Sequence, residues 1–181
     1  MTRIHWLLAV PVFCAACAGS QTNQMTEKQM ARIEKQQDKQ IETVDKQADK
    51  RQAMVDKNFA AHKDVISDSD RPDADRSAKM LDEAKDRSDY HVQTRAELDK
   101  LAVRIKAAQD KVKVLGPMAP DPVRQELSKI STEQSTLQEQ FAEMNEAALS
   151  SWEEAKSTME GRISNLEARL SDVSNAIDDA S

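Results

Sequence analysis

From Val123 to Ile177 apolar side chains recur in alternating steps of four and three, and this pattern constrains the fold more than any other feature of the chain. Val123, Leu127, Ile130, Gln134, Leu137, Phe141, Met144 and Ala148 keep the alternation without fault. A one-residue slip passes through Trp152, Ala155 and Met159, after which Ile163, Leu166, Leu170, Val173 and Ile177 resume it. Such spacing marks one face of an α-helix, because side chains three and four apart lie above one another. Gly161 is the only helix-weakening residue in the run. The spacing therefore predicts one helix over residues 121–180, about 90 Å long at about 1.5 Å per residue.

Two weaker stripes precede it. Met30, Ile33, Ile41, Val44, Ala48, Val55, Phe59 and Ile66 recur close to helical period, with Gln37 at one expected core position and Asp-Lys repeated at Asp38, Asp45, Asp49 and Asp56. Thr26-Glu27-Lys28-Gln29 matches a capping box opening that helix. Ser67-Asp68-Ser69-Asp70-Arg71-Pro72 then breaks the chain. The next stripe runs through Leu81, Ala84, Ser88, Val92, Leu98, Leu101, Ile105, Ala108, Val112 and Leu115, until Gly116-Pro117 stops it. Asp121-Pro122 restarts a helix, with an acid at its cap and proline in its first turn.

Helices are thus expected over about 26–67, 73–115 and 121–180. Aromatic residues make up only 3% of the chain, and beyond Trp6 and Phe13 only Phe59, Tyr90, Phe141 and Trp152 remain. That is too little bulk for a thick globular core but enough for the thin seam between long helices. The fold class is all-α: an elongated antiparallel bundle or coiled coil of three long helices, the third the longest, spanning residues 26–181.

The first residues carry a different signal. Arg3 precedes an apolar run from Ile4 to Ala16, broken only by His5 and Pro11. At about 13 residues it is shorter than the roughly 20 that cross a bilayer, and it has the form of a signal peptide over residues 1–16. Its end, Cys14-Ala15-Ala16-Cys17, resembles the lipobox of bacterial lipoproteins, with Cys14 standing where that family most often has Leu. The resemblance covers only this leader. It implies lipid attachment at Cys17, a polar tether over residues 17–25, and a protein of the cell envelope held to a membrane and facing the periplasm. Ala16-Cys17-Ala18 also fits ordinary signal peptidase, which would release a soluble periplasmic or secreted protein. Either cleavage leaves no disulfide downstream, so stability rests on packing.

Charge and motif content narrow the function. Residues 18–67 and 68–120 are nearly balanced, whereas residues 121–181 carry five basic against thirteen acidic side chains. An acidic chain without a basic stripe is not expected to bind nucleic acid. The basic residues between Arg95 and Lys113 are candidates to lie beside that acidic segment. His62 and His91 have no carboxylate or cysteine at ligand spacing, three scattered glycines make no phosphate loop, and no nucleophile motif occurs. No catalytic residue, metal or cofactor is therefore expected, and the chain reads as a non-enzymatic structural or adaptor protein acting through helix–helix association. The alternative is a helical binding module for unfolded or lipid cargo, similar to holdase chaperones.

The short breaks make neighbouring helices antiparallel. Pairing the second and third about the Gly116–Asp121 turn uses up the second helix near Ser164, and the first helix is expected to end at the same level. Ile163, Leu166, Leu170, Val173 and Ile177 would then project beyond both companions as an uncovered seam. That places the expected partner-binding site on them, for a second copy or another envelope protein. Folding back at Gly161 would bury the seam instead.

Overall fold

The computed structural model describes residues 18–67, 73–144 and 151–181, with side chains described over 26–66, 73, 75–144 and 151–181. It contains α1 (Ala18–Ser67), α2 (Ala74–Leu115), a short 3-10 turn (Gly116–Met118), α3 (Asp121–Met144) and α4 (Trp152–Asp178). No strand occurs among the described residues. The all-α expectation holds, but the bundle is not the three-helix one the stripes suggested. The long third helix is two helices, α3 and α4, packed against each other. Ala148 of its stripe lies outside the described residues.

The ion pairs fix how α3 and α4 meet. Arg169 on α4 reaches Glu126 at 2.7 Å and Glu133 at 2.5 Å on α3, and Arg162 approaches Glu133 at 3.8 Å. Residues later in α4 thus sit beside residues earlier in α3, as two antiparallel helices require. Gly161 lies inside α4 without interrupting it. The helix therefore does not bend there; the reversal falls between Met144 and Trp152, where the apolar spacing slips by one residue. Burial drives it. A straight helix would leave Ile163, Leu166, Leu170, Val173 and Ile177 in water, whereas the hairpin gives each of them an exposure of 5% or less. At about 1.5–3 kcal/mol per side chain the gain is roughly 7–15 kcal/mol as an upper bound.

The second hairpin stands as expected. Gly116, at φ 55, caps α2 with its N–H on the Val112 carbonyl, in a region of φ that glycine enters without steric cost. Arg124 fastens the turn from the other side, donating to the Ala119 carbonyl at 3.2 Å and to that of Gly116. The α2–α3 register follows from Gln109 against Ser131 and from the His91 ring 5.2 Å from that of Phe141. α4 runs parallel to α2, with Tyr90 beside Trp152, Arg104 beside Glu167 and Lys111 beside Asp178. α2, α3 and α4 thus form a three-helix bundle around Leu98, Leu101, Ile105, Ile130, Leu137, Leu166 and Leu170.

Among the described residues α1 packs on α2 alone, whereas a bundle of three long helices would have set it along the third helix as well. It contributes one residue, Met30, to the buried core. It also begins at Ala18, so residues 18–25, expected as a tether, are helical, and Thr26 lies inside the helix. The α1–α2 contact rests on a repeat that the stripe reading did not resolve. On α1, Ile33, Val44, Val55 and Ile66 recur every 11 residues, as do Gln37, Ala48 and Phe59. On α2, Leu81, Val92, Val103 and Val114 do the same. An 11-residue repeat corresponds to about 3.67 residues per turn, close to the natural helical period, so two long helices stay in contact without the left-handed supercoil a heptad imposes. Glu34, Asp45 and Asp56 share one position of the α1 repeat. They pair in turn with Lys111 at 2.8 Å, with Lys100, and with Lys85 at 2.9 Å. The charges set an antiparallel register in which Met30 is level with Leu115 and Asp56 with Lys85.

α2 therefore has two apolar faces. Tyr90, Leu98, Leu101, Ile105, Ala108 and Leu115 point into the three-helix bundle, while Val92, Ala96, Val103, Ala107 and Val114 lie on the face turned to α1. Reading the helix as a single stripe mixed the two sets. The expected alignment of α2's basic residues with the acidic C-terminal third is partly seen, in Arg104–Glu167 and Lys111–Asp178. Lys100, and the second contact of Lys111, go to α1 instead.

Candidate interaction surface

The registers leave one part of the molecule thinner than the rest. α3 and α4 accompany α2 from Leu115 back to about Tyr90, level with Trp152. Beyond that level, among the described residues, only α1 from about Gln52 and α2 from Asp73 continue, as a two-helix arm. At about 1.5 Å per residue it extends roughly 20–25 Å beyond the bundle. α1 spans 50 residues, about 75 Å, so its first turn and the arm tip lie at opposite ends of the molecule.

At the neck of the arm the polar groups reach a position of the α1–α2 seam that is apolar elsewhere. Gln52 occupies the repeat position held by Met30 and Ile41, and Asp89 the one held by Lys100 and Lys111. Gln52 donates to Asp89 at 2.6 Å, and Lys85 donates to Asp89 at 2.7 Å while pairing with Asp56. Those two carboxylates raise the Lys85 ammonium well above its ordinary value, and hydrogen bonding to Lys85 lowers that of Asp56. Buried polar groups in a helical seam specify register at some cost in stability. Gln52 Oε1 is buried without a hydrogen-bond partner, which is part of that cost.

On the other side of α2 an aromatic cluster closes the top of the three-helix bundle. The Tyr90 ring stands edge-on to Trp152 at 5.4 Å, and His91 lies 5.3 Å from Trp152. The Arg87 guanidinium covers the Trp152 ring at 4.6 Å. Burial pushes the His91 imidazole below its ordinary value and the nearby Arg87 charge adds to that, so the neutral ring is favoured. Neither His91 Nδ1 nor Arg87 Nη2 finds a hydrogen-bond partner. A cavity of about 260 Å³ opens above the cluster, lined by Glu83, Asp86, Arg87, Trp152 and Glu153.

The arm itself carries exposed apolar side chains. Met54, Val65 and Met80 are 63%, 73% and 61% exposed, and only Met118 matches them elsewhere among the described residues. Phe59, Val55, Ile66 and Leu81 are half-buried between the two helices.

The residues expected to bind a partner are elsewhere. Ile163, Leu166, Leu170, Val173 and Ile177 lie inside the molecule, with Leu166, Leu170 and Ile177 fully buried. The overhang that would have exposed them is removed by the α3–α4 hairpin, and they have no free face to offer. Cys17 and the leader over residues 1–16 lie outside the described residues. His62 is exposed, its Nδ1 2.7 Å from the Asn58 carbonyl oxygen, whereas His91 belongs to the aromatic cluster. No group of three or more metal-type ligands occurs among the described residues, and none of their helices is long and apolar enough to cross a membrane. The arm was missed because its signal is a difference in helix length, which appears only once the partners of α2 are known.

Comparison with protein families, with curated proteins and with solved structures finds no match to this chain. The fold and surface define its class on their own terms: an all-α bundle from which a two-helix arm projects.

Proposed function

We propose that the protein is an envelope-anchored, non-enzymatic coiled-coil lipoprotein, a structural or adaptor element that works through helix–helix association. The lipid anchor is Cys17, at the end of the leader, and the partner-binding element is the arm. The observation that carries this reading is the exposure of Met54, Val65 and Met80 on a narrow hairpin at the end of the molecule farthest from the first turn of α1. Met54 and Val65 stand eleven residues apart on one face of α1, and exposed apolar side chains recurring on one face are candidates for contact with a partner. A chain fixed at residue 17 would present the arm about 75 Å away along α1. The cargo-binding alternative gains less support, since these side chains sit on a ridge rather than inside an apolar groove.

Two measurements test the reading. Mass spectrometry of membrane-extracted protein is expected to find a lipid-modified N-terminus at Cys17; a soluble product starting at Gly19 would refute the anchor. A photo-crosslinking residue at Val65 is expected to trap a discrete envelope partner or a second copy in cells, whereas the same residue at Ser128 on α3 traps neither. Equal labelling from both sites, or a smear of unfolded clients, would refute the adaptor role.

A further inference from the structure

The outer face of α1, turned away from α2, carries a row of lysines. Lys28, Lys39 and Lys50 stand 11 residues apart, and so do Lys35, Lys46 and Lys57. At about 3.67 residues per turn each set runs straight along the helix, and the two lie side by side as one line of about 44 Å. All six lysines are exposed. The line is opposite Ile33, Gln37, Val44, Ala48, Val55 and Phe59, which are half-buried against α2. The expectation that the chain has no basic stripe fails on this face.

Composition hides the row, because residues 18–67 carry nine basic and eight acidic side chains. The fold separates the two signs. Glu34, Asp45 and Asp56, on a different 11-residue line, turn to α2 and pair with Lys111, Lys100 and Lys85. Of the six lysines only Lys46 makes an ion pair among the described residues, with Glu42 one turn before it, and those side chains are 68% and 64% exposed. An exposed pair of that kind neutralises little.

The shape and neighbours of the row identify what it meets. Arg32 and Thr43 precede Met54 and Val65 on the adjoining line, so alongside the bundle this face lacks the apolar centre of a protein interface, where lysine is disfavoured. A single-stranded nucleic acid stacks its bases on aromatic rings, and the one ring of α1, Phe59, faces α2. The phosphates of a duplex wind away from a straight line. A flat layer of anionic headgroups meets a straight ridge along its whole length, leaves the lysines hydrated and needs no apolar contact. We infer that the outer face of α1 rests on a membrane bearing anionic lipids, with the six lysines against the headgroup phosphates and α3 and α4 on the far side of α2. A partner reached by Met54 and Val65 is then met at the membrane surface. The inference does not rest on the lipid anchor at Cys17.

The test uses residues 18–181, which contain all four helices and lack the acylation site, in co-sedimentation with vesicles. Binding is expected to phosphatidylcholine vesicles containing about 30% phosphatidylglycerol, and not to phosphatidylcholine alone. It should be lost at about 0.5 M salt, where the screening length falls to about 4 Å. Lys35→Gln with Lys39→Gln and Lys46→Gln is expected to weaken binding at least about tenfold. Lys79→Gln with Lys113→Gln and Lys129→Gln changes the net charge equally at exposed lysines on α2 and α3, and should weaken it less than about threefold. Unchanged helical dichroism shows that both variants fold. No binding at low salt, equal binding to neutral vesicles, binding that survives high salt, or equal losses in the two variants would each overturn the inference. So would row-dependent binding of a DNA duplex or of polyglutamate in place of vesicles, which would assign the row to nucleic acid or to an acidic protein. The Cys17 and Val65 measurements are read separately, so failure here leaves the adaptor reading standing.

Discussion

Replacing Leu170 by Ala removes a side chain with 0% exposure from the middle of α4. It is level with α3 near Ile130 and with α2 near Ile105, judging by Arg169–Glu126, Arg169–Glu133 and Arg104–Glu167. All three helices therefore close around it, and none can relax into the space without parting from another. Leu-to-Ala changes in such surroundings cost about 3–5 kcal/mol, the transfer free energy of the lost carbons plus the cavity left behind. That is a large part of the about 5–15 kcal/mol that stabilises an ordinary domain. For a chain of this length it corresponds to a melting temperature lower by roughly 6–20 °C. Urea unfolding followed by far-UV dichroism and by the fluorescence of Trp152, which reports on the top of the bundle, is the assay. Met80→Ala, at 61% exposure, is the control and is expected to change stability by less than about 0.5 kcal/mol. A loss below about 1 kcal/mol for Leu170→Ala would mean that α4 is not docked on α2 and α3, and the reasoning from burial would fail.

Three further outcomes are expected. Gly161→Ala should stabilise the protein by about 1 kcal/mol in thermal unfolding, since Gly161 is inside α4, exposed, and a methyl group there meets nothing within 4 Å. Lys111→Ala should destabilise it by about 1–2 kcal/mol in urea: burial by itself disfavours the Lys111 ammonium, hydrogen bonds to Glu34 and Asp178 more than offset that, and removal leaves two half-exposed carboxylates unpaired. The His91 pKa is depressed in the folded state, so protonation favours the unfolded chain; stability present above about pH 6.5 should decline as pH falls below that value. His91→Phe should flatten that decline in melting temperatures measured at neutral and mildly acidic pH.

Much of the molecule was legible in the chain itself because helices are written locally. The stop at Gly116-Pro117 and the restart at Asp121-Pro122 mark the α2–α3 turn, and the antiparallel pairing that follows is the one observed, with Gln109 against Ser131. The core residues of α3 are those its spacing marks, Val123 to Met144. The 11-residue repeat of α1 was present in the letters too, in Ile33, Val44, Val55 and Ile66 and in the acids Glu34, Asp45 and Asp56. Only the structure explains it, by showing the lysines of α2 that each acid meets.

Two features were decided by tertiary structure alone. The first is the reversal before Trp152. The segment Asn145-Glu146-Ala147-Ala148-Leu149-Ser150 contains neither glycine nor proline, so nothing local stops a helix there, and the one-residue slip is the only trace. Helical period shows that a face is apolar, but not whether it is covered by a partner alongside or by its own chain returning. That choice is made by the summed burial of Ile163, Leu166, Leu170, Val173 and Ile177, which no local segment contains. The second is the exposed arm. Met80 and Leu98 continue one face of one helix, yet Leu98 is fully buried and Met80 is 61% exposed, because α3 and α4 end at Met144 and Trp152. What a side chain touches depends on where its neighbours' helices stop, and that is set by the packing of the whole.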